Sequence, residues 1–229
     1  DKHIEFFEEE HYYEVDGYRF PISTTGFIAT PHTPFLRWAI INKMGDFARQ
    51  KWGGGDNQSI ADAWSDNGGT ASRLGTKMHA AVEVYFNTGI VSMDPEIRPE
   101  MQQMINFKRQ VLDKRNIKCY RTEPIIYTDR SDGIEVCGSV DFLGFDGNEF
   151  WVMDWKRPKK LETTSKGGKY AKYCQPPLEK YEQTDYVKYS TQLHTYRYIF
   201  ERYYGIKIPA QNLYIVTFHT LQDDYKFIP

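Results

Sequence analysis

Apolar residues recur every three or four positions in several stretches of the chain, and this spacing places them on one face of a helix. The helices predicted on this pattern span 35–52, 58–66, 70–87, 99–115 and 190–204. Glycine follows most of them, because its backbone tolerates the left-handed conformation that ends a helix. Asn67-Gly68-Gly69 is the break expected between the second and third helices.

A different pattern, alternation of apolar and polar residues, predicts strands. Residues 4–22 alternate aromatic and charged side chains around an Asp-Gly turn at 16–17, which predicts a hairpin. Further strands are predicted at about 120–127, 134–145, 149–156, 213–218 and 225–227. The stretch 160–188 has little periodicity and is expected to be a long loop, of the kind usually linked to function or disorder.

The order of these elements is helix, three strands, helix and strand, after an N-terminal extension. This order predicts an α/β fold with a mixed central sheet. The sequence contains no internal repeat and no linker. We therefore expect one domain over residues 1–229, with an extension at 1–69 and a core at 70–229.

Composition narrows the class of protein only a little. The 229 residues are 40% hydrophobic and 26% charged, and the net charge is −2, so any nucleic-acid surface must be local. Three widely spaced cysteines support neither a disulfide scaffold nor a zinc or four-cysteine iron–sulfur site, which favours a reducing, intracellular setting. No apolar run approaches membrane-spanning length, and the acidic start is not a signal peptide.

Two carboxylates and a lysine are spaced so that a hairpin would bring them together. Twelve residues separate Asp141 from the run Asp154-Trp155-Lys156, with an Asp-Gly turn at 146–147 between two apolar strands. Folding this hairpin places Asp141 near Asp154. Strand alternation puts Asp154 and Lys156 on one face and Trp155 on the other.

Such a group is typical of a metal-dependent site. Two carboxylates at one spot repel each other unless a cation lies between them, and paired oxygen ligands suit Mg²⁺ or Mn²⁺. A lysine beside them can orient or activate water, or stabilise charge on a phosphate. The ordinary alternative is two surface carboxylates and a solvated lysine. Asp154 follows an apolar strand and Gly138 permits close backbone approach, and both features favour a site.

Two pairs of polar residues, each four positions apart, lie on predicted helices. His79 and Glu83 share one stripe beside the core stripe of their helix, where a neutral imidazole can bind a metal. Gln192 and Tyr196 share another stripe, and they can bind a phosphate or a base edge or hold carboxylates in place. In isolation, the first pair is better explained as a histidine that hydrogen-bonds the glutamate one turn away. The second pair is better explained as a tyrosine at the edge of the core with a solvated glutamine.

Two further features surround this group. Glu123 begins a predicted strand and is either another carboxylate of the site or a solvated residue. A basic segment follows Lys156, with interleaved tyrosines and a single acid, Glu162. Its cations are Arg157, Lys159, Lys160, Lys166, Lys169 and Lys172. Such a run is usually a solvated loop, but its start at the suspected catalytic lysine suits a phosphate backbone reaching a metal.

In chain order, these residues resemble the PD-(D/E)xK nuclease superfamily. Within it, they are most similar to the RecB-like, lambda-exonuclease-like branch, which includes viral and phage exonucleases and the mitochondrial genome maintenance exonuclease. The matching motifs are Gly75-Thr76-x-x-His79-x-x-x-Glu83, Glu123, Gly138-x-x-Asp141, Asp154-x-Lys156 and Gln192-x-x-x-Tyr196. They span residues 75–196, slightly over half of the chain. Each motif is weak alone, and the set in this order is more specific.

The resemblance implies a restriction-endonuclease-like core, with a central mixed sheet flanked by helices, that binds one or two Mg²⁺ or Mn²⁺ ions. The metal ligands that it implies are His79, Asp141, Asp154 and the backbone carbonyl of Trp155, with Glu83 and Glu123 at less diagnostic positions. Lys156 would position or activate the attacking water. Gln192 and Tyr196 would contact DNA or support the site.

The resemblance has two departures. Val140 stands where the motif's name has proline, and the cysteines of the iron–sulfur relatives are absent, so no iron–sulfur cluster is expected. The expected function is a metal-dependent DNA exonuclease of the kind used in DNA repair and recombination, with DNA as partner and no membrane. An oligomer is compatible with the sequence.

Two alternatives to this function stay open. One is a structure- or sequence-specific endonuclease. The other is a nuclease-fold module that binds nucleic acid without cutting it, which is disfavoured because clustered like charges are costly in a module that does no chemistry.

Overall fold

The computed structural model describes residues 3–7, 10, 12–165 and 171–229, and it has a mixed α/β architecture. The α-helices are α1 (Thr24–Ala29), α2 (Arg37–Asn42), α3 (Asp46–Gln50), α4 (Asn57–Thr88), α5 (Arg98–Phe107) and α6 (Asp185–Tyr203). The strands are β1 (Ile4–Phe7), β2 (Tyr12–Val15), β3 (Tyr18–Arg19), β4 (Ile22–Ser23), β5 (Lys118–Thr122), β6 (Ile125–Tyr127), β7 (Val136–Ser139), β8 (Phe142–Phe145), β9 (Phe150–Lys156), β10 (Leu213–Thr217) and β11 (Lys226–Ile228).

The largest sheet has five strands in the order β11-β10-β9-β8-β5. Strand β9 pairs parallel with β10 and antiparallel with β8, so the predicted mixed sheet is confirmed. The predicted β8–β9 hairpin is also present. Its turn is closed by the Asp146 carboxylate, which accepts hydrogen bonds from the backbone N–H groups of Asn148 and Glu149 and from the Trp151 indole.

Two smaller sheets complete the described strands. Strands β1-β2-β3 form the predicted N-terminal hairpin, and β4-β7-β6 forms a second sheet in which β4 pairs parallel with β7. The N-terminal extension is therefore joined to the later part of the chain by backbone hydrogen bonds.

Two of the predicted strands are each broken in two. The 120–127 strand divides into β5 and β6 at Glu123, whose left-handed backbone (φ 47°) and following proline interrupt pairing. The 134–145 strand divides into β7 and β8 at Val140 and Asp141. In both cases the chain crosses from one sheet to another. The prediction of continuous strands was wrong, and Asp141 lies at the crossover rather than within a strand.

Helix α4 is one continuous helix of 32 residues, so the break predicted at 67–69 was wrong. Its start is capped by the Asp56 carboxylate, and its end is the predicted Gly89 (φ 77°). Glycine weakens a helix by only about 1 kcal/mol relative to alanine. Packing outweighs that cost here, because Ile60 is buried near the start of the helix and Met78 near its end.

The other predicted helices differ less from the observed ones. The 35–52 helix is two short helices, α2 and α3, and the 190–204 helix begins earlier, at Asp185, where Thr184 caps it. The 99–115 helix is α5 followed by a π-helical turn over Lys108–Leu112. The predicted 160–188 loop ends early, because α6 begins at Asp185; before that residue its described part has no helix or strand apart from an isolated bridge between Tyr173 and Glu182.

The core lies on both faces of the five-stranded sheet. On one face Trp155 packs with α4, α5 and the π-helical turn through Met78 and Phe107. On the other face Val152 packs with α6 through Leu193. Alternate residues of β9 therefore pack in different hydrophobic clusters, one on each face of the sheet. Among the described residues, no helix combines the length and apolar composition needed to cross a bilayer.

We expect Gly68→Ala and Gly69→Ala each to stabilise the protein by about 0.5–1 kcal/mol, because alanine restricts the unfolded chain and favours helix. Both positions have open space where a Cβ would lie. Urea denaturation followed by circular dichroism measures the effect.

The matched control for these variants is Gly138→Ala. A Cβ at Gly138 would lie 2.9 Å from Cβ of Thr24, so this variant is expected to lose about 1–3 kcal/mol. Destabilisation by Gly68→Ala would contradict a continuous α4.

Candidate metal centre

The predicted carboxylates and lysine meet where the β8–β9 hairpin faces α4 and α6. Asp141 immediately precedes β8, and its Oδ2 accepts a hydrogen bond of 2.5 Å from the Trp155 N–H. The Lys156 ammonium lies 2.5 Å from Oδ2 of Asp154. From α4, Nδ1 of His79 lies 3.5 Å from Oδ1 of Asp141.

The alternation of β9 explains how the strand presents both a core residue and site residues. The Trp155 ring is buried in the aromatic core, while Asp154 and Lys156 lie on the opposite face of the strand. The Lys156 carbonyl accepts from Phe218 on the β10 side. Backbone groups alternate along a strand, so the N–H and carbonyl of Trp155 point to the other side, where Asp141 lies.

Three of the candidate ligands form a tight group. One donor atom from each of His79, Glu123 and Asp141 lies within 4.8 Å of the others. The left-handed backbone at Glu123 places its carboxylate here, where Oε2 accepts a hydrogen bond of 2.5 Å from the Ser139 hydroxyl. Glu123 is half-buried and lies in this group, so it is not a freely solvated carboxylate. Glu83 is half-buried on the same stripe as His79 but is not in this group.

Asp154 lies beside this group and is fully buried. Its Oδ2 lies 2.5 Å from the Lys156 ammonium, whereas its Oδ1 accepts no hydrogen bond from the described residues. Buried carboxylate oxygens are nearly always satisfied by donors, water or an ion. The donor set of two aspartates, a glutamate and an imidazole fits a divalent cation such as Mn²⁺ or Mg²⁺.

Burial and mutual repulsion shape the charges of the site. Burial raises the pKa of Asp154 to about 6, with Asp141 acting in the same direction and Lys156 opposing it. Burial and the charge of Asp141 raise the pKa of Glu123 to about 7. For Asp141, burial is outweighed by His79 and Lys156, and its pKa is lowered. The site brings together three carboxyl groups, those of Asp141, Asp154 and Glu123, with one ammonium and one imidazole.

Gln192 and Tyr196 lie behind the carboxylates rather than at the surface. Both are buried, and Nε2 of Gln192 donates a hydrogen bond of 2.7 Å to the Tyr196 hydroxyl. The Tyr196 ring packs beneath Gly138, 3.5 Å from where a Cβ would lie. Burial and the charges of the two aspartates raise the pKa of this phenol well above its usual value. The alternative prediction, in which Gln192 is solvated, is therefore wrong.

Sequence reasoning missed two residues of the site. The Tyr189 ring lies 4.9 Å from the Lys156 ammonium, and Ser139 donates to Glu123. Tyr189 stands three positions before Gln192 on the same helix. This spacing is the sequence pattern that could have indicated that both residues face the site. No local sequence pattern indicated Ser139, because its hydrogen-bond partner, Glu123, lies sixteen residues away in the chain.

The predicted basic segment divides into different environments. Lys159, Lys160 and Lys172 are exposed, whereas Lys166 and Lys169 lie outside the described residues. Arg157 departs from the prediction of a nucleic-acid contact. Its guanidinium is nearly buried and forms an ion pair of 2.8 Å with the fully buried carboxylate of Glu100.

Comparison with known proteins adds no relative: no protein-family model matches the chain, and no curated protein matches it. The roles of these residues are therefore argued from geometry and charge. Together they offer several oxygen donors, one imidazole and one ammonium around a point that α4, the β8–β9 hairpin and α6 all reach.

We expect Arg157→Leu to destabilise the protein by about 3–5 kcal/mol, because it leaves the Glu100 carboxylate buried without its partner. Adding Glu100→Gln should recover part of this loss, since the amide carbonyl can still accept from the Thr220 N–H. Thermal denaturation of the single and double variants measures both effects. A stable Arg157→Leu variant would contradict this structural role.

Proposed function

We propose that this protein is a metal-dependent deoxyribonuclease with a restriction-endonuclease-like core, which hydrolyses phosphodiester bonds from DNA ends. The main support is the fully buried carboxylate of Asp154, whose Oδ1 has no hydrogen-bond donor among the described residues and which lies beside Asp141 and Lys156. A protein gains nothing in stability from burying two acids together unless something positive joins them. A role inside the cell in DNA repair or recombination belongs to the same proposal.

The proposed core uses the elements that carry these residues. Helix α4 supplies His79, the β8–β9 hairpin supplies the aspartates and the lysine, and α6 packs behind them on the five-stranded sheet. This order is the one that the resemblance implies. The N-terminal hairpin and the short helices before α4 form the extension.

In the proposed reaction, the ligands of the cation are His79, Asp141, Asp154, Glu123 and the Trp155 carbonyl. A divalent cation held there would supply positive charge against the negative charge that develops on the phosphate. The Trp155 N–H fixes the orientation of the Asp141 carboxylate through its hydrogen bond. Burial of Asp154 keeps this side of the site at low dielectric, which strengthens every charge interaction in it.

Lys156 is the residue of the chain proposed to act on water. Its ammonium can hold a water molecule for in-line attack or donate to a non-bridging phosphate oxygen. The Tyr189 ring beside the ammonium and the ion pair with Asp154 restrict where it can move. Gln192 and Tyr196 act as positioning residues, because they pack behind the carboxylates.

We expect Asp154→Asn and Lys156→Met each to lower cleavage of DNA by more than about 100-fold, since each removes charge that the transition state requires. The assay uses end-labelled linear DNA with Mn²⁺ or Mg²⁺, with and without a chelator. Asp223→Asn and Lys226→Met, on exposed residues outside the site, should cleave as the wild type does. Wild-type activity in Asp154→Asn would contradict the proposal.

Covalently closed circular DNA separates the proposed function from its alternatives. An enzyme that acts at ends leaves circles intact while it degrades linear DNA. Cleavage of circles would instead support an endonuclease. Metal binding without cleavage of any DNA would support a binding module.

We also expect the wild-type protein to bind Mn²⁺ in isothermal titration calorimetry, and Asp141→Asn to weaken this binding by at least about tenfold. The reason is that Asp141 is common to the three-residue ligand group and to the Trp155 contact. Asp223→Asn is again the matched control. Equal affinity in Asp141→Asn and the wild type would place the metal elsewhere, whatever the outcome of the cleavage assay.

A further inference from the structure

A serine side chain connects the candidate metal centre to its surroundings on the side of β7. Ser139 is the last residue of β7, and its hydroxyl donates a hydrogen bond of 2.5 Å to Oε2 of Glu123. Glu123 in turn lies in the ligand group with His79 and Asp141. Ser139 therefore contacts a candidate ligand of the cation.

The Glu123 carboxylate is held in an unfavourable place. Its backbone is left-handed, with a φ of 47°, and this conformation has an energetic cost for a residue with a side chain. The carboxylate of Asp141 lies close by, and the two negative charges repel each other. A hydrogen bond to a charged carboxylate is among the stronger ones in proteins. The Ser139 hydroxyl therefore opposes the movement of Glu123 out of the ligand group.

The backbone of Ser139 leaves its own N–H free to bind on the side away from β6. The next residue, Val140, donates its N–H to the Pro124 carbonyl at 3.1 Å, across the β6–β7 ladder. Successive N–H groups of a strand point in opposite directions, so the Ser139 N–H points away from β6. On that side β4 ends at Ser23, which pairs with Cys137, and β4 does not extend as far as Ser139.

The N-terminal hairpin supplies the group that this N–H meets, which is the phenol of Tyr13. Tyr13 of β2 is buried in a cluster with Cys137 of β7. Burial raises the pKa of Tyr13 to about 12, with Cys137 acting in the same direction, whereas the Ser139 N–H opposes the rise by hydrogen bonding to the phenol oxygen. The negative charge of Glu123 also acts on this phenol. The hairpin thus reaches the centre through Ser139.

Tyr13 is itself fixed within the hairpin. Its ring packs on that of Phe6, with the ring centroids 4.7 Å apart, and its carbonyl accepts a hydrogen bond of 2.9 Å from the Phe20 N–H. Val15 and Phe20 are buried in the same cluster. Loss of the Tyr13 hydroxyl alone should therefore leave the packing of the hairpin in place.

We propose that Ser139 is a positioning residue, which holds the Glu123 carboxylate in the ligand group of the cation, and that Tyr13 supports Ser139 from the N-terminal hairpin. This inference rests on the proposed metal-dependent function and deepens it, because it makes the extension a part of the metal centre. Residues that hydrogen-bond the ligands of a metal typically change its affinity by about 10- to 100-fold.

The test is a double-variant comparison of Mn²⁺ affinity by isothermal titration calorimetry on the full chain. We expect Ser139→Ala to weaken Mn²⁺ binding by about 10- to 100-fold. In a Glu123→Ala background, the same change should weaken binding by less than about twofold, because the carboxylate on which Ser139 acts is absent. A role in the fold alone would give the same loss in both backgrounds.

A second variant tests the contribution of the hairpin. Tyr13→Phe keeps the ring and removes the hydroxyl, and we expect it to weaken Mn²⁺ binding by about 3- to 10-fold, as the loss of one neutral hydrogen bond would. Tyr18→Phe is the matched control, because the Tyr18 hydroxyl on the same hairpin donates to Glu135 instead, at 2.9 Å. Ser131→Ala, at an exposed serine in the turn before β7, is the control for Ser139→Ala. Both controls should bind Mn²⁺ as the wild type does.

Three results would overturn the inference. Equal Mn²⁺ affinity in Ser139→Ala and the wild type would show that Glu123 needs no support from Ser139. An equal loss with and without the Glu123 carboxylate would show that Ser139 acts on the fold rather than on the ligand. Wild-type affinity in Tyr13→Phe would remove the extension from the metal centre.

The two proposals fail in distinguishable ways. Mn²⁺ binding that depends on Ser139 through Glu123, without cleavage of any DNA, would support this inference and end the nuclease proposal. Conversely, Mn²⁺-dependent cleavage with unchanged affinity in Ser139→Ala would leave the nuclease proposal standing and end this one. A wild-type protein that binds no Mn²⁺ would end both.

Discussion

The burial of Asp154 next to Asp141 is the constraint that the rest of the site depends on. Two carboxylates at low dielectric repel each other, and each also loses its hydration. The protein offers them the Lys156 ammonium and the His79 imidazole, but Oδ1 of Asp154 still has no hydrogen-bond donor among the described residues. The neighbouring structure holds this unfavourable arrangement in place, which is typical of functional sites rather than of cores built for stability.

The crossover between sheets explains how so many polar groups reach one place. A straight strand through Asp141 would direct alternate side chains to opposite faces. The chain instead leaves one sheet at β7 and enters the next at β8, and a second crossover at Glu123 lies beside it. The left-handed backbone of Glu123 has an energetic cost for a residue with a side chain. This backbone conformation places the Glu123 carboxylate close to His79 and Asp141.

Local spacing was enough to predict the parts of the structure that depend on neighbours in the chain. The β8–β9 hairpin, the opposite faces of Asp154 and Trp155, and the end of α4 at Gly89 all follow from periods of two or 3.6 residues and from glycine. The mixed central sheet followed from the order of elements. These are the features that short-range sequence patterns encode directly.

Features that depend on distant partners could not be read in this way. Arg157 was predicted to contact nucleic acid, but it pairs with Glu100, which lies 57 residues away in the chain. Taken in isolation, Gln192 was better explained as a solvated residue, yet α6 packs it behind the carboxylates. Similarly, the glycines at 68 and 69 predicted a break that packing at both ends of α4 overrides. In each case tertiary contacts outweigh a local preference.

Because α4 is unbroken, it couples the N-terminal extension rigidly to the candidate metal centre. A helix turns by about 100° per residue, so deleting one residue near Gly68 would swing the short helices before α4 to a different side of His79. Inserting seven residues would restore the angle but lengthen the separation by about 10 Å. The length and phase of this helix therefore set the distance and the direction of the extension from His79.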